Sequence, residues 1–269
     1  MSKYNLITKA STLLLVLATI VTVGGHRNLQ AQESQETESN VTIEDIADEE
    51  NNVTVGEEVT VRGEVAQVEP GISFVLQEEG LFDGDEVLVI NVSQKILPEQ
   101  TDDLGLQITG EVGTLILADV EQDYGLDLDP NLYVDYENKP VIFASNMVLS
   151  PDLEDVAENP DIYYSQEIAV RGEVKNINSD YAFILREDKL FSDDNLLILS
   201  TKGEPLPTQD EKVVVTGIVR PYIQSEFERD YDLTWDLDLQ EKIEAEYREK
   251  PVLIVDSIYP SAQDQGLLE

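Results

Sequence analysis

Carboxylates crowd two stretches of this 269-residue chain, EQDYGLDLDPNLYVDYEN beginning at Glu121 and ERDYDLTWDLDLQEKIEAEYREK beginning at Glu228. Asp123, Asp127 and Asp129 in the first stretch, and Asp230, Asp232 and Asp236 in the second, are hard oxygen donors of the kind that Ca2+ gathers. Neither spacing is that of an EF-hand loop, and the same residues read equally well as solvated turn acids. Paired carboxylates also serve glycoside hydrolysis. With 56 acids in the chain, a pair at a workable distance is unavoidable, so a carboxylate-based hydrolase is the weakest of the readings.

The residues that are missing narrow the chemistry further. Cysteine is absent, and the one histidine, His26, falls in a segment read below as a leader. Without them there is no Ser-His-Asp or Cys-His nucleophile, no thiol redox chemistry, and no zinc or copper site built on imidazole or thiolate. No glycine-rich phosphate loop or dinucleotide fingerprint appears. An enzyme is not expected. The 56 acids stand against 17 Lys and Arg, a formal charge of −39, and a field of that sign opposes nucleic acid and anionic membrane surfaces. A protein, a glycan or a small ligand is left as the partner.

Lys3 and Lys9 precede or flank the apolar run Ala10 to Val23, ASTLLLVLATIVTV. That run is short for a bilayer span of roughly 20 residues and is patterned as an export signal. Leu29-Gln30-Ala31 places a small residue at a cleavage point, so residues 1–31 read as a signal peptide, with a retained N-terminal anchor as the alternative. No cysteine follows to carry a lipid. The destination is extracytoplasmic: periplasmic, cell-surface or secreted. Residues 32–52, QESQETESNVTIEDIADEENN, are acidic and poor in large apolar side chains, and read as a disordered linker.

The elements that must position the acids come from a repeat. VRGEV stands at Val61 to Val65 and again at Val170 to Val174. Residues 58–91 slide onto 167–200 without a gap, bringing Phe74 onto Phe183, Leu76 onto Leu185 and Leu81-Phe82 onto Leu190-Phe191. Further on, Thr109-Gly110 matches Thr216-Gly217, Asp123-Tyr124 matches Asp230-Tyr231, and Lys139-Pro140-Val141 matches Lys250-Pro251-Val252. Small changes of offset are loop-length differences between two duplicated domains, 53–150 and 163–260, with a linker at 151–162 and a tail at 261–269.

Within each unit, Val59, Val61, Gly63 and Val65, like Ile168, Val170, Gly172 and Val174, alternate with polar residues at the period of a half-buried strand. Arg62 and Arg171 then fall on the outer face as solvated charges. The apolar phase slips at Val68 and at Ile177, which suggests a bulge. Four more strands follow in each unit: Ile72 to Leu76, Val87 to Asn91, Leu106 to Leu117 and Val141 to Leu149, then Tyr181 to Leu185, Leu196 to Ser200, Val213 to Tyr222 and Val252 to Tyr259. Helical periodicity appears between the fourth and fifth strands, clearest at Leu239, Ile243 and Tyr247. That helix is expected to cap one barrel mouth.

Five strands, a glycine-bearing coiled first strand at Gly63 and Gly172, and mid-strand Gly110 and Gly217 resemble the oligonucleotide/oligosaccharide-binding (OB) fold. With export added, the chain resembles the small exported bacterial OB-fold proteins, whose roles are mostly unassigned. The resemblance implies a mainly β chain of two tandem five-stranded small barrels, each with a short helix between strands 4 and 5. It departs from the family between strands 3 and 4, where a helix is usual and Pro98, Pro205 and Pro207 stand instead. The resemblance also makes the fourth-to-fifth connection a ligand loop. Here that loop carries acids where a nucleic-acid binder places Lys and Arg, and Tyr124, Tyr231 and Trp235 read as packing. The expected function is a non-enzymatic binding or structural module, with calcium-dependent binding through the acidic loops as the alternative. Mass spectrometry of the exported protein should find a mature start near Gln32; an intact Met1 on a cytoplasmic species would contradict the export reading.

Overall fold

The computed structural model describes residues 39–47, 53–69, 71–78, 85–93, 95, 105–176, 179, 181–187, 195–201, 205–231 and 237–262. The leader, most of the 32–52 segment, the tips of the LFDGDE and LFSDDN turns and most of the 261–269 tail lie outside the described residues. The first half contains β1 (Ser39–Asn40), α1 (Ile43–Ala47), β2 (Glu58–Glu69), β3 (Ser73–Gln77), β4 (Glu86–Asn91), β5 (Gly105–Thr114), α2 (Leu117–Tyr124) and β6 (Pro140–Leu149). The second contains α3 (Leu153–Glu158), α4 (Pro160–Tyr163), β7 (Glu167–Asn176), β8 (Ala182–Arg186), β9 (Asn195–Leu199), β10 (Lys212–Pro221), α5 (Gln224–Tyr231), α6 (Leu237–Tyr247) and β11 (Pro251–Pro260).

The chain is mainly β. β2 runs antiparallel to β3 and β5, β3 to β4 and β5 to β6, while β4 and β6 are parallel. These pairings close a five-stranded barrel. The second half repeats them in order: β7 with β8 and β10, β8 with β9, β10 with β11, and β9 parallel to β11. Inward residues of the first half, among them Val59, Val61, Phe74, Leu76, Val89, Ile108 and Ile142, form one core. The corresponding Ile168, Val170, Phe183, Leu185, Ile198, Val215 and Leu253 form another.

Glycines and bulges set the curvature. A Cβ on Gly63 would crowd the Gln77 carbonyl oxygen and sit 2.9 Å from Leu76 Cγ; on Gly172 it would lie 2.7 Å from the Arg186 carbonyl oxygen and from Leu185 Cγ. The expected slip at Val68 is a register shift of β2 against β3 between Gln67 and Glu69; Ile177 lies outside the described residues. Two further shifts, at Thr109/Gly110 and Thr216/Gly217, bend the fourth and fifth strands together. Each leaves one residue of the partner strand unpaired, which raises the local twist.

Two expectations need correction. The 32–52 and 151–162 segments contribute more than spacers. α1 buries Ile43 and Ile46 in the first core, and α3 buries Leu153 and Val156 in the second. A Cβ added to Gly63 would meet Ile43 Cδ1 at 2.8 Å, and one added to Gly172 would meet Leu153 Cδ1 at 3.0 Å. The plug therefore occupies the space the glycine leaves. α1 is started by a capping box: the Thr42 amide donates to Asp45 Oδ2 (2.9 Å) and the Asp45 amide to Thr42 Oγ1 (3.1 Å). The acidic composition hides four apolar residues, two in each helix, that are enough to dock it.

The helices between the fourth and fifth strands also do not cap a barrel mouth. α2 and the chain after it bring Val120, Leu128 and Tyr133 against Val75, Leu88, Ile90 and Val141, the outward residues of β3, β4 and β6. α5 and α6 bring Phe227, Ile243 and Tyr247 against Ile184, Leu197, Leu199 and Val252. The sheet face is longer and more apolar than a barrel end, and covering it buries both sides of the central strands.

Gly63→Ala should lower unfolding stability by roughly 1–3 kcal/mol through overpacking against backbone, and Ile43→Ala by about 2–5 kcal/mol through the cavity at the plug. Urea unfolding measures both. An Ile43→Ala protein as stable as its parent would return residues 43–47 to the status of a tether.

Candidate functional site

Among the described residues, the acids singled out above do not gather at one point. Asp123 ends α2 and is exposed, as are Asp127 and Asp129. Asp129 Oδ1 accepts from the Asn131 amide (3.0 Å) and from Asn131 Nδ2 (2.7 Å), a local turn. Asp230, near the end of α5, accepts from Arg229 Nε (2.8 Å) and Arg220 Nη1 (3.1 Å). Those bonds, Arg229's foremost, hold its carboxyl below the usual carboxylate range. Asp232 and Asp236 lie outside the described residues, with Trp235. Among the described residues, no three acidic or imidazole groups gather within reach of one metal ion.

A different cluster is built around Arg220 at the end of β10. Its guanidinium lies 5.3 Å from the Phe227 ring centre and 5.9 Å from that of Tyr231. It also donates to Glu226 Oε2 (3.2 Å), Asp230 Oδ2 (3.1 Å) and the Tyr231 hydroxyl (3.1 Å). Aromatic faces and carboxylates thus enclose one cation. At the corresponding place in the first half, Tyr124 stacks on Phe143 with ring centres 5.2 Å apart and planes 25° apart, and remains 44% exposed. Tyr124 and Tyr231 were expected as packing residues, and each does pack, but Tyr124 is the more exposed of the two.

Behind α5 and α6, Tyr222 is buried, and its phenol is pushed up to about 12, first by burial and then by Glu244 and Glu228. Burial pushes the Tyr247 phenol up as well. Glu228 Oε1 accepts from both Gln224 Nε2 (2.8 Å) and Gln240 Nε2 (2.5 Å), tying α6 back to α5. In the first half, Tyr133 is fully buried and shares a hydrogen bond with Ser73 Oγ at 2.8 Å.

The junction between the halves is polar at one edge and apolar beside it. Arg62 is 8% exposed, which corrects its expected place among solvated charges. Its Nε donates to Ser150 Oγ (2.5 Å), and Ser150 Oγ donates to the Ala169 carbonyl of β7 (2.8 Å). Gln107 Nε2 donates to Thr216 Oγ1 (3.2 Å), while Val148, Ala169 and Val214 pack together with Tyr259. Leu149 runs parallel to Ile168, so the last strand of the first half continues along β7. Both halves use the same face: Gln107 corresponds to Val214 and Val148 to Tyr259. Sequence reasoning missed this junction because an Arg in a period-two strand reads as outward whether its outer side meets water or another domain.

No family model matches the sequence, and no curated protein matches it. No described helix is long and apolar enough to cross a membrane.

Raising the Tyr222 phenol from its ordinary 10.0 to about 12 lets the folded chain hold a proton that the unfolded chain has released. Stability from this group is whole below pH about 10 and is lost as pH rises toward about 12. The Tyr222→Phe variant should show a shallower fall in urea midpoint across that window; an unchanged fall would remove Tyr222 from the base transition.

Proposed function

We propose that the chain is an extracytoplasmic, non-enzymatic binding or structural module made of two tandem OB-like barrels. Strands paired in the order 1-2-3-5-4-1 support that reading, as do glycines at the same strand positions in both halves. The observation that carries it is the covering of the outer strand face. OB domains take ligands on the face of strands 2 and 3, between the 1–2 and 4–5 loops. In both halves that face is packed against the chain's own 4–5 connection. The surface left to present to a partner is the solvent side of those connections, where Asp119, Asp123, Glu228 and Asp230 are exposed. A charge of −39 favours a cationic protein partner over nucleic acid or a polyanionic glycan.

Peptide and glycan arrays probed with the exported protein test this reading. Parallel sets in Ca2+, Mg2+ and Na+ at equal ionic strength separate screening from specific ion binding. Binding to cationic peptides that is equal in Ca2+ and Mg2+ is expected, with equal melting temperatures in the two ions. A melting rise specific to Ca2+ and lost on Asp123→Asn would replace this reading with the calcium-dependent one, and turnover of a glycoside panel would end the non-enzymatic one.

A further inference from the structure

We propose that the exposed face of Tyr124, flanked by Asp123, Asp119 and Glu111, receives an arginine side chain of a partner protein; this rests on reading the chain as a binding module. The two halves repeat the same backbone hydrogen bonds around this place. The Leu115 amide donates to the Lys139 carbonyl (3.1 Å) and the Tyr222 amide to that of Lys250 (2.9 Å). The Asn138 amide donates to Leu115 (2.9 Å) and the Glu249 amide to Tyr222 (3.0 Å), with φ of 65° at Asn138 and 61° at Glu249. Lys139 sits 5.8 Å over the Tyr136 ring, and Lys250 sits 5.6 Å over that of Tyr247. α2 and α5 therefore correspond residue for residue.

On that correspondence the second half shows a filled arrangement. Tyr231, Asp230 and Glu226 hold the guanidinium of Arg220. The first half keeps Tyr124, Asp123 and Asp119 at the same three positions, but Gly113 stands where Arg220 does. A side chain cannot be regrown there, because a Cβ on Gly113 would run into the Phe143 ring. Phe143 instead stacks on one face of the Tyr124 ring, and Tyr124 remains 44% exposed. Glu111, paired across the strands with Phe143, adds a carboxylate on this side; burial foremost, and then Glu111 and Asp123, push the Tyr124 phenol up. Among the described residues, no lysine or arginine pairs with Glu111, Asp119 or Asp123. The groups that recognise a guanidinium in one half stand in the other without the internal cation. An aromatic face beside carboxylates suits the planar, weakly hydrated guanidinium.

The probe is an acetylated, amidated Gly-Arg-Gly-Arg-Gly peptide, titrated into the isotope-labelled full chain at low salt and followed by NMR, beside the same peptide with citrulline for arginine. Shifts centred on the Tyr124 ring and Asp123, seen with arginine and absent with citrulline, are expected. Tyr124→Ala should weaken binding roughly two- to fivefold. A Gly113→Arg/Phe143→Ile variant, which copies Arg220 and Ile254 into the first half, should supply the cation internally and block the peptide. Arginine binding that is indifferent to Tyr124→Ala would overturn the site and leave the binding-module reading in place, since attraction to the overall charge accounts for it. Equal binding of the citrulline peptide would also overturn it. If the arrays find no ligand and the arginine peptide leaves Tyr124 unshifted, the binding-module reading and this site fail together.

Discussion

The close approach of backbone to backbone at Gly63, and its counterpart at Gly172, is the constraint on which the other features depend. Five short strands enclose little volume, so the first strand must coil tightly past the second, and a side chain at that point would meet a carbonyl oxygen. The space left by the missing Cβ is taken by a methyl group. Ile43 and Leu153 each supply one. The plug helices, the register shifts opposite Gly110 and Gly217, and the layer of helix on the outer sheet face all serve to fill or bend around that narrow interior.

Most of the strand plan was legible because its signal is periodic and is written twice. The eight later strands fall within a few residues of where alternation and the repeat put them. α1 and α3 were not legible, since helices of five and six residues are too short for a helical period to stand out. A signal was nevertheless present: Ile-Glu-Asp-Ile-Ala at 43–47 and Leu-Glu-Asp-Val-Ala at 153–157 are a second repeat inside segments dismissed on composition. The covered outer face had a signal too. Phe74-Val75-Leu76 and Val87-Leu88-Val89-Ile90 are unbroken apolar runs, the pattern of strands buried on both sides. Candidate sites were less legible, because six spaced aspartates look alike in sequence whether they converge on an ion, close a turn as Asp129 does, or pair with guanidinium as Asp230 does.

Identical residues of the repeated pentapeptide stand in different environments. Arg62 and Arg171 occupy the same place in the same pentapeptide, yet Arg62 is buried against Ser150 and Arg171 is only half-buried. The second half takes part in the first arrangement through the Ala169 carbonyl, which accepts from Ser150 Oγ. A buried guanidinium is tolerated where hydrogen bonds compensate for its lost hydration, and Ser150 provides its hydroxyl and its carbonyl. One motif thus lies partly open to solvent in β7 and forms part of a joint in β2.

Where β1 and β11 come together, Asn40 Nδ2 donates to the Pro260 carbonyl at 2.5 Å, a clasp that spans 220 residues of sequence. The described strands therefore begin and finish at neighbouring points, so a pull that separates the two ends bears first on this clasp and then on β1 against β2 and on β11 against β10 together.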